Sequence, residues 1–189
     1  MIHLLPHNQK TLAEVWEFFE ASNFSGGKAA ITNCTGLGKS YVIMAAMERF
    51  QQMGKGKILL LAPTWEVIDQ FLESGDFPDS DQIRYGIYQT LMKKRKMFAN
   101  NASEQFRLSL FMTGRELPRL DDDGNLSIEL NGIEDLGSFD LLVFDELHRI
   151  GAPEWGKAVK LAQELFPNAC LLGASATPRR YDQKKQTFD

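Results

Sequence analysis

Eight residues near the start of the chain constrain its fold more than any others. The segment 33–40 reads Asn-Cys-Thr-Gly-Leu-Gly-Lys-Ser; it follows an apolar run at 29–31 and precedes a segment of helical periodicity at 41–52. A strand, a glycine-rich turn, Gly-Lys-Ser and a helix form the pattern of a phosphate-binding loop. Glycines let several backbone N–H groups converge on a polyphosphate, and the positive end of the helix adds to their field.

Two side chains of this loop have expected roles. Lys39 is expected to reach the β- and γ-phosphates of a nucleotide, and the Ser40 hydroxyl to help hold Mg²⁺. Asn33 stands where the pattern has its first glycine, which removes backbone freedom at the strand exit but no phosphate ligand. A glycine-rich turn beside a surface lysine would look the same by chance, so the rest of the chain has to decide.

Length and composition limit what the chain can be. With 189 residues, 43% hydrophobic and 24% charged, it is the size of one large domain with an ordinary core. The net charge of -4 requires any contact with nucleic acid to be local. Cys34 and Cys170 form no disulfide framework, which fits a reducing compartment. No signal peptide and no apolar run of about 18 residues is visible, so we expect a cytoplasmic protein without a membrane partner.

Strand-like and helix-like segments alternate along the chain. Apolar residues at helical spacing predict helices at 11–20, after Ser40, after Thr64 and at 154–166. Continuous apolar runs predict strands at 29–31, 57–62, 140–144 and 170–173, and 83–87 is a further candidate strand. The sequence therefore predicts an α/β domain with a mainly parallel central sheet and helices on both faces. The ligands of such sheets bind at the carboxyl ends of the strands, where the polar residues of this sequence cluster.

The region 91–138 carries weaker patterns. The run Lys93-Lys94-Arg95-Lys96 is either a phosphate-binding patch or a solvated helix face. Alternating apolar residues after Asp-Asp-Asp-Gly predict a small hairpin inserted around 114–138. The sequence assigns this region no function.

Two acids, Asp145 and Glu146, directly follow the predicted strand at 140–144. In a chain with a phosphate-binding loop, Asp145 is expected to hold Mg²⁺ through water and Glu146 to orient and polarise the attacking water. With Lys39 they form the predicted catalytic set. The alternative is that the acid pair only caps a helix.

Taken in order, these segments resemble the motifs of superfamily 2 helicases, the DEAD/DEAH-like nucleic-acid-dependent ATPases. The resemblance covers most of the chain, and 145–156 is most similar to the branch that includes restriction-enzyme translocase subunits. The matching segments are Thr-Gly-Leu-Gly-Lys-Ser at 35–40 for motif I, Leu-Ala-Pro-Thr at 61–64 for motif Ia, Tyr-Gln-Thr-Leu at 88–91 for the next nucleic-acid-facing block, Asp-Glu-Leu-His at 145–148 for motif II and Ser-Ala-Thr-Pro at 175–178 for motif III.

The resemblance implies a role for each matching residue, with ATP and Mg²⁺ as cofactors. It implies nucleotide-binding, coupling and nucleic-acid-binding groups. These are Thr35, Gly36, Leu37, Gly38, Lys39 and Ser40 for MgATP, with Gln9 reading adenine; His148, Ser175 and Thr177 for coupling; and Pro63, Thr64, Gln89 and Thr90 along the bound strand.

The resemblance also implies a RecA-like fold for residues 1–178. In this family ATP lies between two RecA-like domains, and the second supplies arginine residues to the transferring phosphate. We expect 179–189 to begin a linker to such a domain, and the isolated chain to be nearly inactive. The predicted function is the ATP-binding domain of an ATP hydrolase that moves along or unwinds nucleic acid, with DNA favoured over RNA.

Two other functions remain open from the sequence. The chain could be a stand-alone nucleotide-binding or interaction module that does not hydrolyse ATP by itself. It could also belong to another class of P-loop ATPase, such as a protein-remodelling machine, although the Ser-Ala-Thr block at 175–177 argues against that.

Overall fold

The computed structural model describes residues 2–32, 36–78, 80–88, 138–146 and 153–176, except for the side chains of residues 153–155 and 157. In this part of the chain, helices and strands alternate in sequence. The helices are α1 (Pro6–Ala21), α2 (Lys39–Gln52), α3 (Trp65–Glu73) and α4 (Pro153–Leu165), and the strands are β1 (Lys28–Thr32), β2 (Ile58–Ala62), β3 (Ile83–Ile87), β4 (Leu141–Phe144) and β5 (Cys170–Ser175).

The strands form one sheet in the order β1-β5-β4-β2-β3, and every neighbouring pair is parallel. The predicted parallel α/β architecture is therefore confirmed. The chain leaves β1, crosses to the other half of the sheet and returns, so that β5 lies between β1 and β4. Thr32 pairs with Ser175, and Phe144 pairs with Gly173. The carboxyl ends of these three strands consequently meet at one edge.

Two hydrophobic clusters cover the two faces of the sheet. Alternate residues of β2 point to opposite sides, so Ile58 and Leu60 join one cluster and Leu59 and Leu61 the other. The first cluster contains apolar residues of α1, α2 and α3, and the second contains those of α4. Burial on both faces explains why β2 and β4 are continuous apolar runs in the sequence.

An aromatic cluster fixes α1 against α2. Phe50 lies in edge contact with Trp16, Phe19 and Phe24, with ring centroids 5.5 to 5.8 Å apart. The Arg49 guanidinium lies 5.3 Å from the Trp16 ring centroid, in a cation–π contact. Because α2 begins at the predicted phosphate-binding loop, this packing also brings the start of α1 to that loop.

Several element boundaries differ from the sequence prediction, and two of the differences have a clear physical reason. Helix α1 begins at Pro6, not at residue 11, because proline at the first helical position costs no backbone hydrogen bond. Strand β5 extends to Ser175, not to residue 173, because Ala174 and Ser175 pair with Ile31 and Thr32 of β1.

Several sequence predictions fall outside the described residues. They include the basic run at 93–96, residues 114–137 of the predicted hairpin and the expected linker at 179–189. Among the helices in the described part of the chain, none has the length and apolar character that crossing a membrane requires.

Candidate active site

The predicted site residues follow different strands but reach the same edge of the sheet. The loop at 36–38 follows β1 and leads into α2, whereas Asp145 and Glu146 follow β4. Strand β5 separates β1 from β4, and its last residue, Ser175, is buried there with 3% of its surface exposed. The sheet topology thus brings the loop and the acid pair together, with Ser175 between their strands.

The loop enters α2 through two glycines with left-handed backbone conformations. Gly36 has φ 83° and Gly38 has φ 78°, a region that other residues adopt only with strain. Gly38 is the N-cap residue of α2, and its carbonyl accepts hydrogen bonds from the N–H groups of Tyr41 and Val42. Lys39 and Ser40 therefore occupy the first turn of the helix, where free backbone N–H groups and the helix dipole attract anions.

Asp145 is the most perturbed acid near this loop. The pKa of its carboxyl is raised from 3.8 to about 6, chiefly by burial and also by the neighbouring Glu146 charge. A hydrogen bond from the Glu146 N–H and the positive charge of Lys39 both lower this pKa. Lys39 is therefore near enough to Asp145 to stabilise its charged form, in agreement with the common sheet edge at which their two strands end.

The backbone on both sides of Asp145 is also fixed. Its N–H donates to the Leu61 carbonyl at 2.9 Å, which continues the strand pairing beyond β4. Its carbonyl accepts a hydrogen bond from the buried Tyr88 hydroxyl at 2.8 Å. The next residue, Glu146, is partly buried and has φ 54°, an uncommon conformation for a residue with a side chain.

The start of α1 supplies a contact to the loop that the sequence analysis did not identify. Asn8 is only 2% exposed, and a Cβ atom at Gly38 would lie 2.6 Å from its Nδ2. Asn8 Oδ1 is buried without a hydrogen-bond partner among the described residues. The His7 ring also reaches the loop, where Nε2 donates to the Leu37 carbonyl at 3.2 Å. Helical periodicity places Asn8 on the buried face of α1 with Leu12, and this signal could have identified it.

Gln9 is placed differently. Its Nε2 donates to the Leu4 carbonyl at 2.9 Å, so the side chain is engaged with the segment that precedes α1. It is Asn8, one residue earlier, that packs against the loop. The adenine-reading role of Gln9 stays a prediction.

Comparison with known proteins identifies the family. The model of the family described as type III restriction enzyme, res subunit, matches residues 1–180. The chain belongs to this family. The resemblance to the restriction-translocase branch of superfamily 2 is thereby confirmed. No curated protein matches the sequence.

One solved structure of another protein has a similar fold. The chain is similar to the Sulfolobus solfataricus SWI2/SNF2 ATPase core in complex with dsDNA, with a TM-score of 0.56 and 17% sequence identity. The match covers 93% of this chain but only 32% of that ATPase. The predicted RecA-like fold is confirmed. Membership of the res-subunit family makes the chain an ATP-binding motor domain of the helicase and translocase class.

The remaining predicted residues of the res-subunit domain divide into two groups. At the end of β2, Pro63 is buried, whereas Thr64 is exposed and serves as the N-cap residue of α3 without a side-chain capping bond. The second group lies outside the described residues. It comprises Thr35, Gln89, Thr90, His148 and Thr177.

Proposed function

We propose that this domain is the ATP-binding half of a nucleic-acid-dependent ATPase, which hydrolyses ATP to move along or unwind DNA. The observation that carries the proposal is that β1 and β4, with β5 between them, bring the loop before Lys39 and the buried Asp145 to one edge of the sheet. A lysine in the first turn of a helix and a buried carboxylate form the two halves of a phosphate and metal site. We further propose that the protein works in the cytoplasm.

The nucleotide phosphates lie, in this proposal, at the N-terminus of α2. The loop backbone and the Lys39 ammonium group bind them. Gly38, with φ 78°, allows the left-handed turn by which the loop enters α2. Thr35 to Ser40 form the phosphate cradle, and Gln9 is assigned to the adenine base. The binding energy comes mainly from charge-assisted hydrogen bonds, which are roughly twice as strong as neutral ones.

The donor set fits Mg²⁺. The Ser40 hydroxyl and the Asp145 carboxylate are hard oxygen ligands, and Mg²⁺ commonly takes one or two protein ligands, with phosphates and water completing its shell. Among the described residues, no group of three or more His, Cys, Asp or Glu side chains is arranged so that it could hold a metal ion. A bound dication favours the ionised form of Asp145, whose buried carboxyl has a pKa of about 6. When bound, the metal ion would neutralise negative charge on the phosphates.

Hydrolysis requires a positioned water and stabilisation of the transition state. Glu146 orients and polarises the water, and Lys39 neutralises charge on the transferring phosphate. We propose that a second RecA-like domain, joined through the linker that begins at 179, supplies arginine residues to the same phosphate. Ser175, His148 and Thr177 then couple the state of the nucleotide to movement on nucleic acid.

Nucleic acid binds, in this proposal, along the ends of β2 and β3. The Sulfolobus solfataricus ATPase core was solved in complex with dsDNA, which supports DNA as the partner. Thr64 is exposed at the end of β2, and we assign Gln89 and Thr90 to the same surface, whereas the buried Pro63 contributes only through the backbone that carries Thr64. Because the net charge is -4, binding by this domain alone should be weak and should fall steeply with salt.

The test is ATP turnover by the natural full-length protein with single-stranded DNA, duplex DNA and RNA in turn. The proposal predicts stimulation, strongest with DNA, that is lost on Glu146→Gln. Glu20→Gln on the exposed face of α1 is the matched control and should keep wild-type turnover. Turnover that no nucleic acid stimulates, or that survives Glu146→Gln, would contradict the proposal and favour a module that binds nucleotide without working as a motor.

A further inference from the structure

We propose that Tyr88 is a positioning residue for ATP hydrolysis, whose hydroxyl fixes the backbone that presents Glu146 to the attacking water. The inference rests on the proposed function, because Glu146 has to be the water-orienting acid. Tyr88 follows β3 directly and is only 2% exposed. The Tyr88 side chain does not touch the reacting atoms. It acts only through the peptide bond that joins Asp145 to Glu146.

That peptide is held through its carbonyl group. Its oxygen, the Asp145 carbonyl, accepts the hydrogen bond from the Tyr88 hydroxyl at 2.8 Å. With the Asp145 N–H bound to the Leu61 carbonyl, two consecutive peptides are fixed in direction. The plane of the second peptide sets the direction in which the Glu146 Cα and side chain leave it.

The conformation of Glu146 explains why such a restraint is needed. Its φ of 54° lies in the left-handed region, which is strained for a residue with a side chain. A strained residue keeps its conformation only where its surroundings impose it. The Tyr88 hydrogen bond restrains this conformation. Turning the peptide between Asp145 and Glu146 to bring Glu146 to a negative φ would break that buried hydrogen bond.

The restraint crosses the sheet. Strand β2 lies between β3 and β4, so Tyr88 reaches past it to the end of β4. The ring packs beside Phe144, with centroids 5.8 Å apart and planes tilted by 34°. Since this packing does not involve the hydroxyl, Tyr88→Phe removes the hydrogen bond and retains the buried ring.

The experiment compares Tyr88→Phe with Tyr85→Phe in the natural full-length protein. Tyr85 lies within β3, three residues before Tyr88, and is 1% exposed. It packs against Phe77, in the hydrophobic cluster on the opposite face of the sheet. We expect Tyr88→Phe to lower kcat about 10-fold or more, as losses of positioning contacts do. The ATP KM and the stoichiometry of bound MgADP should stay within about twofold of wild type, because the phosphate loop is untouched. Tyr85→Phe should keep the wild-type kcat.

A second comparison separates positioning from a general loss of folded enzyme. If Tyr88 acts through Glu146, then Tyr88→Phe should add no further loss to the residual turnover of Glu146→Gln. An equal fold-loss in both backgrounds would overturn the inference, as would a wild-type kcat for Tyr88→Phe. Those results leave the proposed function intact, provided that Glu146→Gln itself abolishes turnover. Full turnover in Glu146→Gln would contradict the inference and the proposed function together.

Discussion

The side-chain amide of Asn8 fills the space where a side chain at residue 38 would begin. A Cβ atom at Gly38 would lie 2.6 Å from Asn8 Nδ2, too close for any real contact, and the Asn8 side chain is buried and cannot swing freely into solvent. The first helix and the phosphate-binding loop are thus fitted to each other through a glycine. This contact links the packing of α1 to the geometry of the nucleotide site.

We therefore expect Gly38→Ala to weaken MgADP binding by at least about 10-fold, because both the φ of 78° and the Asn8 contact would force the loop to move. Gly54→Ala is the matched control. Gly54 has φ 74°, but a Cβ there would meet nothing within 4 Å, and it lies beyond the other end of α2. Calorimetry should show weaker MgADP binding for Gly38→Ala only. The free energy of unfolding should fall by a similar amount in both variants, because both glycines have a positive φ. Equal affinities in the two variants would refute the coupling between α1 and the loop.

A second prediction concerns the pH dependence of folding. Burial raises the pKa of Asp145 to about 6 in the folded protein, against 3.8 in the unfolded chain. Between these pH values the folded state holds a proton that the unfolded state has lost, so stability falls as the pH rises from about 4 to about 6. The loss through this group is on the order of 2 to 3 kcal/mol, and it stays constant above that range.

Asp145→Asn removes this titration. In the absence of nucleotide and Mg²⁺, urea unfolding should show the variant gaining stability relative to wild type as the pH is raised from 4 to 7 (about 2 to 3 kcal/mol in all). The other carboxyl groups titrate in both proteins and cancel in the difference. A stability difference that does not change with pH would show that the Asp145 carboxyl keeps an ordinary pKa.

A third prediction concerns the chain on its own. The 189-residue chain should bind MgATP but hydrolyse it slowly, because in the proposed motor a second domain supplies the arginine that neutralises the transferring phosphate. An arginine supplied for this purpose is worth roughly 10³ to 10⁵ in rate, or about 4 to 7 kcal/mol. Phosphate release by the chain alone, with and without DNA, measures the deficit. Strong DNA-stimulated turnover that Glu146→Gln abolishes would show that the chain needs no partner domain.

The sequence predicted the sheet well because β2 and β4 are buried on both faces. A strand that is buried on both faces needs apolar residues at every position, so it can be identified from its own residues without knowing which strands pair with it. The end of β5 was harder to predict, since Ala174 and Ser175 have no strand-like pattern and become strand only by pairing with β1. The start of α1 lies before the predicted start, because the helical spacing of apolar residues becomes clear only from residue 12 onwards, whereas Pro6 suits the first helical turn.

The candidate site was predictable in its residue types but not in its contacts. Lys39 and Asp145 belong to local motifs, and the rule that parallel strands carry ligands at their carboxyl ends predicted their common edge. The Tyr88 hydrogen bond joins residues 57 positions apart, and no local pattern marks it. The left-handed Glu146 is equally invisible in the sequence, because a strained backbone is imposed by its surroundings.

The most direct test of the nucleotide site is the affinity of MgATP for Lys39→Ala, measured by calorimetry. Lys10→Ala is the matched control, since Lys10 is an exposed lysine of α1 in a surface ion pair with Glu14. Losing the point charge on the phosphates should weaken binding by about 10-fold to 100-fold or more, whereas Lys10→Ala should bind as wild type does. An unchanged MgATP affinity in Lys39→Ala would contradict the assignment of the loop and, with it, the account of this domain as an ATP-driven motor.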